Sequence, residues 1–260
     1  MHPHPAGSSD PLSTSSSPPA SARYVTRLAK NAGELRQAQA LRYQVFNVEL
    51  SEGLAESVAL GLDIDRYDAA CDHLLVIDSF DDAVVGTYRL QTGERAQQFF
   101  GYYCEREFDL APFESLRPQV LELGRACVHA DHRSFAVLNA LWRAIALYAR
   151  EHGARYLIGC SSLTSQDESI GAASYLQLQQ HLAPEPLRTR PQPAYACDLT
   201  VVAKLPLKIP KLLAAYLALG VTICGPPAID REFKTIDFLT LFDLEQVRSD
   251  ATSGWMRFED

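Results

Sequence analysis

No stretch of the chain reaches the roughly 18 to 20 consecutive apolar residues that a membrane-spanning helix needs. The N-terminus has no basic segment running into an apolar core, so no secretory signal is expected and the location is read as cytoplasmic. No CxxC pair occurs among the six cysteines, Cys71, Cys104, Cys127, Cys160, Cys197 and Cys224, which argues against zinc ribbons and thioredoxin-like motifs. A chain of 260 residues does not depend on disulfide staples, so these are read as buried free thiols. A GxGxxG turn after the first strand and a Walker A loop are both missing, which excludes the common nucleotide-binding folds. Basic residues are in the minority, 24 Lys and Arg against 32 Asp and Glu, for a net charge of −8. That balance disfavours nucleic-acid binding, which draws on clustered positive charge.

What the chain does have is ordinary globular chemistry, 47% hydrophobic residues, enough for one domain with its own core. The first 22 residues, MHPHPAGSSDPLSTSSSPPASA, are too rich in Ser, Pro and Ala to bury apolar surface and are read as a disordered tail. Residues 23–260 form the expected single domain. Asn31 caps a predicted helix through NAGELRQAQALRYQVFNVEL, in which Arg42 falls near an otherwise apolar face. An arginine is unusual there, and the structural reading is one that snorkels to the edge. HLLVID, the polar turn SFDDA and VVGTYRL read as a β-hairpin. PQVLELGRACV, the almost wholly apolar ARYLIGCSSL, AYACDLTVV, VTICGPPAID and DFLTLFDL read as further strands. Helices are expected over Ser134 to His152 with Gly153 as C-cap, near Ile170 to His181, and over Lys211 to Leu219. This order fits one α/β mixed sheet flanked by helices.

Three stretches carry charges that a purely structural element does not need. The loop GLDIDRYDAACD holds Asp63, Asp65, Asp68 and Asp72. Counting from Asp63, the sixth residue is Asp68 and the twelfth Leu74, so the Gly and Glu of a calcium loop are absent. The loop is then either solvated, with a helix cap or two, or an acidic surface for a cationic substrate. His129, Asp131 and His132 lack helical metal-ligand spacing, and no metal site is expected. In LELGRACV, Glu122 and Arg125 are three apart, so a regular strand sends them to opposite faces. A bulge at Gly124 would bring them to one side, leaving an in-strand ion pair or an active-site edge. KLPLKIPKLLAAYLALG combines Lys204, Lys208 and Lys211 with apolar residues, which suits either a core helix with solvated lysines or a docking patch.

Six segments, LRYQVF, DIDRYDAACDHLLV, VVGTYRL, LELGRACVHADHR, LIGCSS and GPPAIDREFKTIDF, occur in an order that resembles the ornithine-lipid N-acyltransferases. These hemolysin-like proteins belong to the acetyltransferase (GNAT) superfamily and are distant relatives of acyl-homoserine-lactone synthases. The resemblance spans about residues 24 to 245. It implies a (3-hydroxy)acyl chain delivered on acyl carrier protein to the α-amine of ornithine or a related amino acid, giving a lyso-ornithine lipid. It implies no cofactor beyond the carrier's own acyl-phosphopantetheine. Acyl-homoserine-lactone synthesis, or acyl-chain sensing without catalysis on the same fold, are the alternatives it leaves.

The resemblance also implies site residues. Arg42 and Phe46 match the first-helix motif, and Asp65, Asp68 and Asp72 the acidic loop. Arg89 matches the end of the second strand, Glu122 and Arg125 the Glu-x-x-Arg strand, and Asp230 and Asp237 the C-terminal motif. Amide formation needs a base for the amine, for which Glu122 is the candidate. Acidic residues would hold the second ammonium, and Arg89 or Arg125 the carboxylate. Val128, Arg133 and Ser134, where the strand turns into a helix, are the candidate donor contacts, although the usual Gly-rich turn is absent. The inner membrane is a possible peripheral partner, through the lysine patch.

Overall fold

The computed structural model describes residues 23–249, so the expected tail over residues 1–22 and the last residues of the domain lie outside the described part. The first described element is one the sequence reading did not assign, strand β1 (Tyr24–Leu28). Its alternation is weak, and only pairing with β2 (Asp72–Asp78) reveals it. Helix α1 (Ala32–Tyr43) follows, with the Asn31 side chain accepting the Glu34 N–H, and it runs on into a π-helical turn over Gln44–Glu49. The hairpin of β2 and β3 (Val84–Thr92) forms as its turn chemistry predicts.

Strand β4 (Val120–Val128) pairs antiparallel with β3 and parallel with β5 (Tyr156–Leu163). Helix α2 (Phe135–Glu151) connects them, capped by Ser134 and ended by Gly153 at φ 65°. This is a βαβ crossover, and α2 buries Val137, Leu141, Trp142 and Ile145 against the sheet. After β5 come α3 (Glu168–Gln177) and α4 (Lys211–Ala218). Three late strands complete the sheet: β6 (Thr222–Ile223), β7 (Ala228–Asp230) and β8 (Thr235–Asp243). The strand order is β1-β2-β3-β4-β5-β8-β6, with β7 also on β8.

AYACDLTVV is not a strand. Asp198 accepts the Thr200 N–H in a local turn, Val201 and Val202 are exposed, and Ala196 makes only an isolated bridge to Ala228. An Asp that bonds its own backbone competes with a ladder, and here it wins. All six cysteines are free thiols, five of them buried.

The parallel ladder between β4 and β5 is short: Val120 to Tyr156, Leu121 to Leu157 and Glu122 to Ile158. Beyond it the strands part. Gly159 marks the fork, because a Cβ there would lie 2.3 Å from the Leu123 carbonyl oxygen. No side chain fits such an approach.

Candidate active site

Two local features turn the fork into a site. The first is a bulge in β4. Thr87 and Arg89 of β3 face Cys127 and Gly124 of β4, so β4 carries one extra residue, and Arg125 sits at φ 50°. The bulge centres on Arg125 rather than on Gly124. It brings Glu122 and Arg125 to one cavity although they are three residues apart. The second is the parting of β4 and β5, which opens a cavity of about 260 Å³. Its β4 wall runs from Glu122 to Ala126 and its β5 wall from Leu157 to Ser162.

One part of the lining is apolar: Tyr88, Trp142, Leu157, Tyr216, Val221 and Phe242, all within the main core cluster. The Tyr88 and Tyr216 hydroxyls meet at 2.6 Å, satisfying two polar tips that would otherwise be buried alone. Another part of the lining is acidic, with Glu52 and Asp237.

Glu122 is buried, and both its oxygens accept backbone N–H groups, from Tyr103 and Cys104, at 2.8 Å. Burial raises its carboxyl pKa; the Cys104 thiol, those two N–H groups and the Arg89 charge oppose the rise. The result is a carboxylate held rigidly in the cavity wall with its basicity increased.

The acidic loop does something the sequence did not reveal. Arg42 pairs with Asp63 and Asp68, both at 2.8 Å. Arg89 pairs with Asp65 at 2.7 Å and Asp68 at 3.2 Å. Arg125 pairs with Asp63 at 3.2 Å and Asp65 at 3.1 Å. Three arginines and three aspartates therefore alternate in a closed ring. Burial pushes the Asp65 and Asp68 carboxyls up, but the guanidinium charges of Arg89 and Arg125 at Asp65, and of Arg42 at Asp68, outweigh it and hold both below the ordinary range. Arg125 also lies over the rings of Tyr103 and Phe233, 4.8 and 4.4 Å from their centroids. The ring commits Asp65 and Asp68 to internal partners and anchors the bulge.

The remaining expected residues are dispersed. Phe46 lines the cavity and packs edge-on to Phe233 at 5.4 Å. Asp72 accepts the Tyr148 hydroxyl at 2.6 Å, away from the cavity. Arg133 donates to Glu49 and to the Val128 carbonyl, and Ser134 caps α2; neither lines the cavity, nor does Val128.

Asp237 does line it, and Asp230 lies behind. With Glu107 they form a buried cluster whose ligand atoms lie within 4.8 Å of one another. Glu107 escaped the sequence reading because its stretch has no periodicity and its partners are more than a hundred residues away. Burial, with the Asp237 and Asp230 charges beside it, pushes the Glu107 carboxyl well up. Burial likewise raises Asp237, and it raises Glu52, with Asp237 adding to the effect there.

An open mixed sheet whose central parallel strands fork over a carboxylate-bearing cavity defines an acetyltransferase-like fold. Residues 41–143 match the acetyltransferase (GNAT) domain family. The N-acyl amino acid synthase FeeM, from uncultured soil microbes, shares the fold with a TM-score of 0.54 at 14% identity, over 87% of this chain and 93% of that one. The L-ornithine N(alpha)-acyltransferase of Rhodobacter capsulatus is 37% identical over 85% of this chain and 90% of its own. That of Rhizobium meliloti is 32% identical over 85% and 80%. The chain belongs to the L-ornithine N(alpha)-acyltransferase family and is an acyltransferase.

Proposed function

We propose that the protein transfers a (3-hydroxy)acyl chain from acyl carrier protein to the α-amine of ornithine, giving a lyso-ornithine lipid. The observation that carries this reading is the fork itself, where one cavity joins an apolar wall, suited to acyl methylenes, to the fixed carboxylate of Glu122. The name shared by the relatives supplies the acceptor.

The reaction needs few parts. The α-ammonium loses a proton, and Glu122, directly or through one water, takes it. The free amine attacks the thioester carbonyl. The C–N bond forms, the C–S bond breaks, and the leaving thiolate takes a proton to become the carrier's thiol. Backbone N–H groups where β4 leaves β5 suit the oxyanion of the tetrahedral intermediate. The α-carboxylate suits the guanidinium edge of Arg89 or Arg125, both of which line the cavity. No side-chain nucleophile enters the scheme, and burial pushes the Cys160 thiol well up, which suits a packing role.

A carrier protein suits the outside of the same site. Lys204, Lys208 and Lys211 are exposed beside exposed Val201, Val202, Leu205 and Leu212, and none of the three lysines has an ion-pair partner among the described residues. The opposite side of α4 places Leu213 and Tyr216 in the cavity wall. A basic, partly apolar rim over the cavity complements an acidic carrier and points its thioester inward. The same patch suits peripheral contact with an anionic inner-membrane surface, where the product belongs. No helix among the described residues is long and apolar enough to cross a membrane.

The test is mass spectrometry of purified protein with acyl- and 3-hydroxyacyl-carrier protein against ornithine and the twenty standard amino acids. N-acylornithine from the carrier-bound donor is expected, with turnover lost in Glu122→Ala while carrier binding persists. Binding of the acylated carrier without any product would reject transfer and leave an acyl-chain sensor.

A further inference from the structure

The acidic end of the cavity has no counter-charge. Glu52 and Asp237 are 6% and 3% exposed, yet neither makes an ion pair among the described residues, in contrast to the balanced ring beside them. Glu52 accepts the Thr164 hydroxyl, and Asp237 Oδ2 accepts the Thr235 hydroxyl at 2.9 Å. Asp237 Oδ1 is buried and has no hydrogen-bond partner of ordinary geometry among the described residues, although the Ser162 hydroxyl and the Glu107 carboxyl lie beside this carboxylate. A buried carboxylate oxygen without a donor costs free energy that a ligand can return. Thr164 and Thr235 also line the cavity, so acceptor oxygens converge from three segments of chain.

The chemistry of a fitting ligand is narrow. A hard divalent cation takes six or more oxygens. Asp230 is a poor contributor, because its Oδ1 already accepts the Glu232 and Phe233 N–H groups at 2.8 and 2.9 Å. Glu107 lies behind Asp237 and does not line the cavity, and burial favours its neutral form. Two carboxylates and two hydroxyls remain. That set matches an ammonium, which has three donors and one charge.

We propose that Glu52 and Asp237 bind the side-chain ammonium of the amino-acid acceptor and thereby select a diamino acid over a neutral one of the same length. The proposal rests on the amino-acid acylation read above and assigns the selectivity to a place in the fold. Glu122 at the fork meets the α-amine, while Glu52 and Asp237 set how far away the second amine lies. An uncharged analogue forfeits the ammonium contacts and leaves the carboxylates buried without a partner, so discrimination by a factor of about 10² or more is expected.

Norvaline, ornithine without its second amine, is the probe. With the carrier-bound donor, the wild type is expected to favour ornithine over norvaline by at least about a hundredfold in kcat/KM. In Asp237→Asn and in Glu52→Gln that ratio should collapse by about tenfold or more, through the ornithine arm. Free ornithine should also raise the wild-type melting temperature where norvaline does not, and Asp237→Asn should erase the difference. Equal use of both amino acids by the wild type, or equal losses for both in the variants, would overturn the assignment. So would a thermal shift by Mg²⁺ or Mn²⁺ alone that disappears in Asp237→Asn, which would make the site a metal site. If the wild type acylates neither amino acid, the acylation reading itself fails. Should Asp237→Asn not fold, the Glu52→Gln ratio and the wild-type thermal shifts still decide.

Discussion

Arg42 on α1 and Asp68 on the loop before β2 meet at 2.8 Å, both shielded from solvent, and each has a second partner in the same ring. Removing one charge from a buried pair strands the other, at a cost of about 3 to 5 kcal/mol. Asp68→Asn is expected to lower the melting temperature by roughly 10 °C, given about 2 to 4 °C per kcal/mol in a protein of this size. Differential scanning calorimetry measures it, and a fall of under about 2 °C would refute the ring as a structural anchor.

The ring also predicts acid lability. Asp65 and Asp68 have folded pKa values below their unfolded ones. Their stabilisation is complete above the unfolded value, about 3.9, and is lost as pH falls toward the depressed folded values. Urea midpoints should drop steeply below about pH 4, and nearly as steeply in a Glu34→Gln control, which leaves the ring intact because Glu34's exposed pair with Arg27 lies outside it.

At the other end of the pH scale the acidic wall acts with opposite sign. Glu107 is raised, so the folded state holds a proton that the unfolded state releases near pH 4, and stability falls as pH rises from there toward the raised value. Glu107→Gln removes that loss. Its melting temperature should exceed wild type at pH 8 by several degrees and by less at pH 5. An advantage larger at pH 5 would contradict the assignment of a protonated Glu107.

Replacing Glu122 by Gln keeps the shape but turns an acceptor into a donor facing the Tyr103 or Cys104 N–H. As the base, Glu122 is expected to contribute about 10² to 10⁴ to the rate. Glu122→Gln should therefore lower kcat by at least about a hundredfold while the KM for ornithine moves less than about threefold. A change confined to KM would assign Glu122 to binding.

Val221 lines the apolar wall beside Trp142 and Phe242. Val221→Phe should occupy space that the last methylenes of a long acyl chain would fill. Losing two buried methylenes at about 0.8 kcal/mol each predicts more than a tenfold fall in kcat/KM for the longest donors. The shortest donors should be affected little, and a uniform loss across chain lengths would show that Val221 does not meet the chain's end.

The exposed lysines give a cheaper test. Lys208→Glu with Lys211→Glu should raise the KM for acyl-carrier protein and leave the melting temperature near wild type, because neither side chain has an ion-pair partner among the described residues. Unchanged kinetics would remove the docking surface.

Local chemistry made much of this fold readable. Asn31, Ser134 and Gly153 marked helix ends where they occur, and the polar SFDDA turn announced the β2–β3 hairpin. The awkward spacing of Glu122 and Arg125 points to a bulge from sequence alone, and the motif order points to the family. What stayed hidden was set by partners distant in sequence. Three-residue and shorter strands such as β6 and β7 exist because β8 pairs with them. The loop aspartates read as either solvated or substrate-facing, and only the positions of Arg42, Arg89 and Arg125 reveal the ring they form. Glu52 and Glu107 carry no local signal, since a lone acid in an irregular stretch looks like surface until its neighbours are known.

Among the described residues, three residue pairs between β4 and β5 form the backbone ladder that joins the β1–β4 half of the sheet to the half built on β8. The seam is short, closed at one end and splayed at the other. A donor that enters there meets strand edges no longer paired to each other. Amide hydrogen exchange should then show protection rising at Leu123 to Ala126 and Gly159 to Ser162 when the acyl carrier binds, while the interiors of both halves stay unchanged.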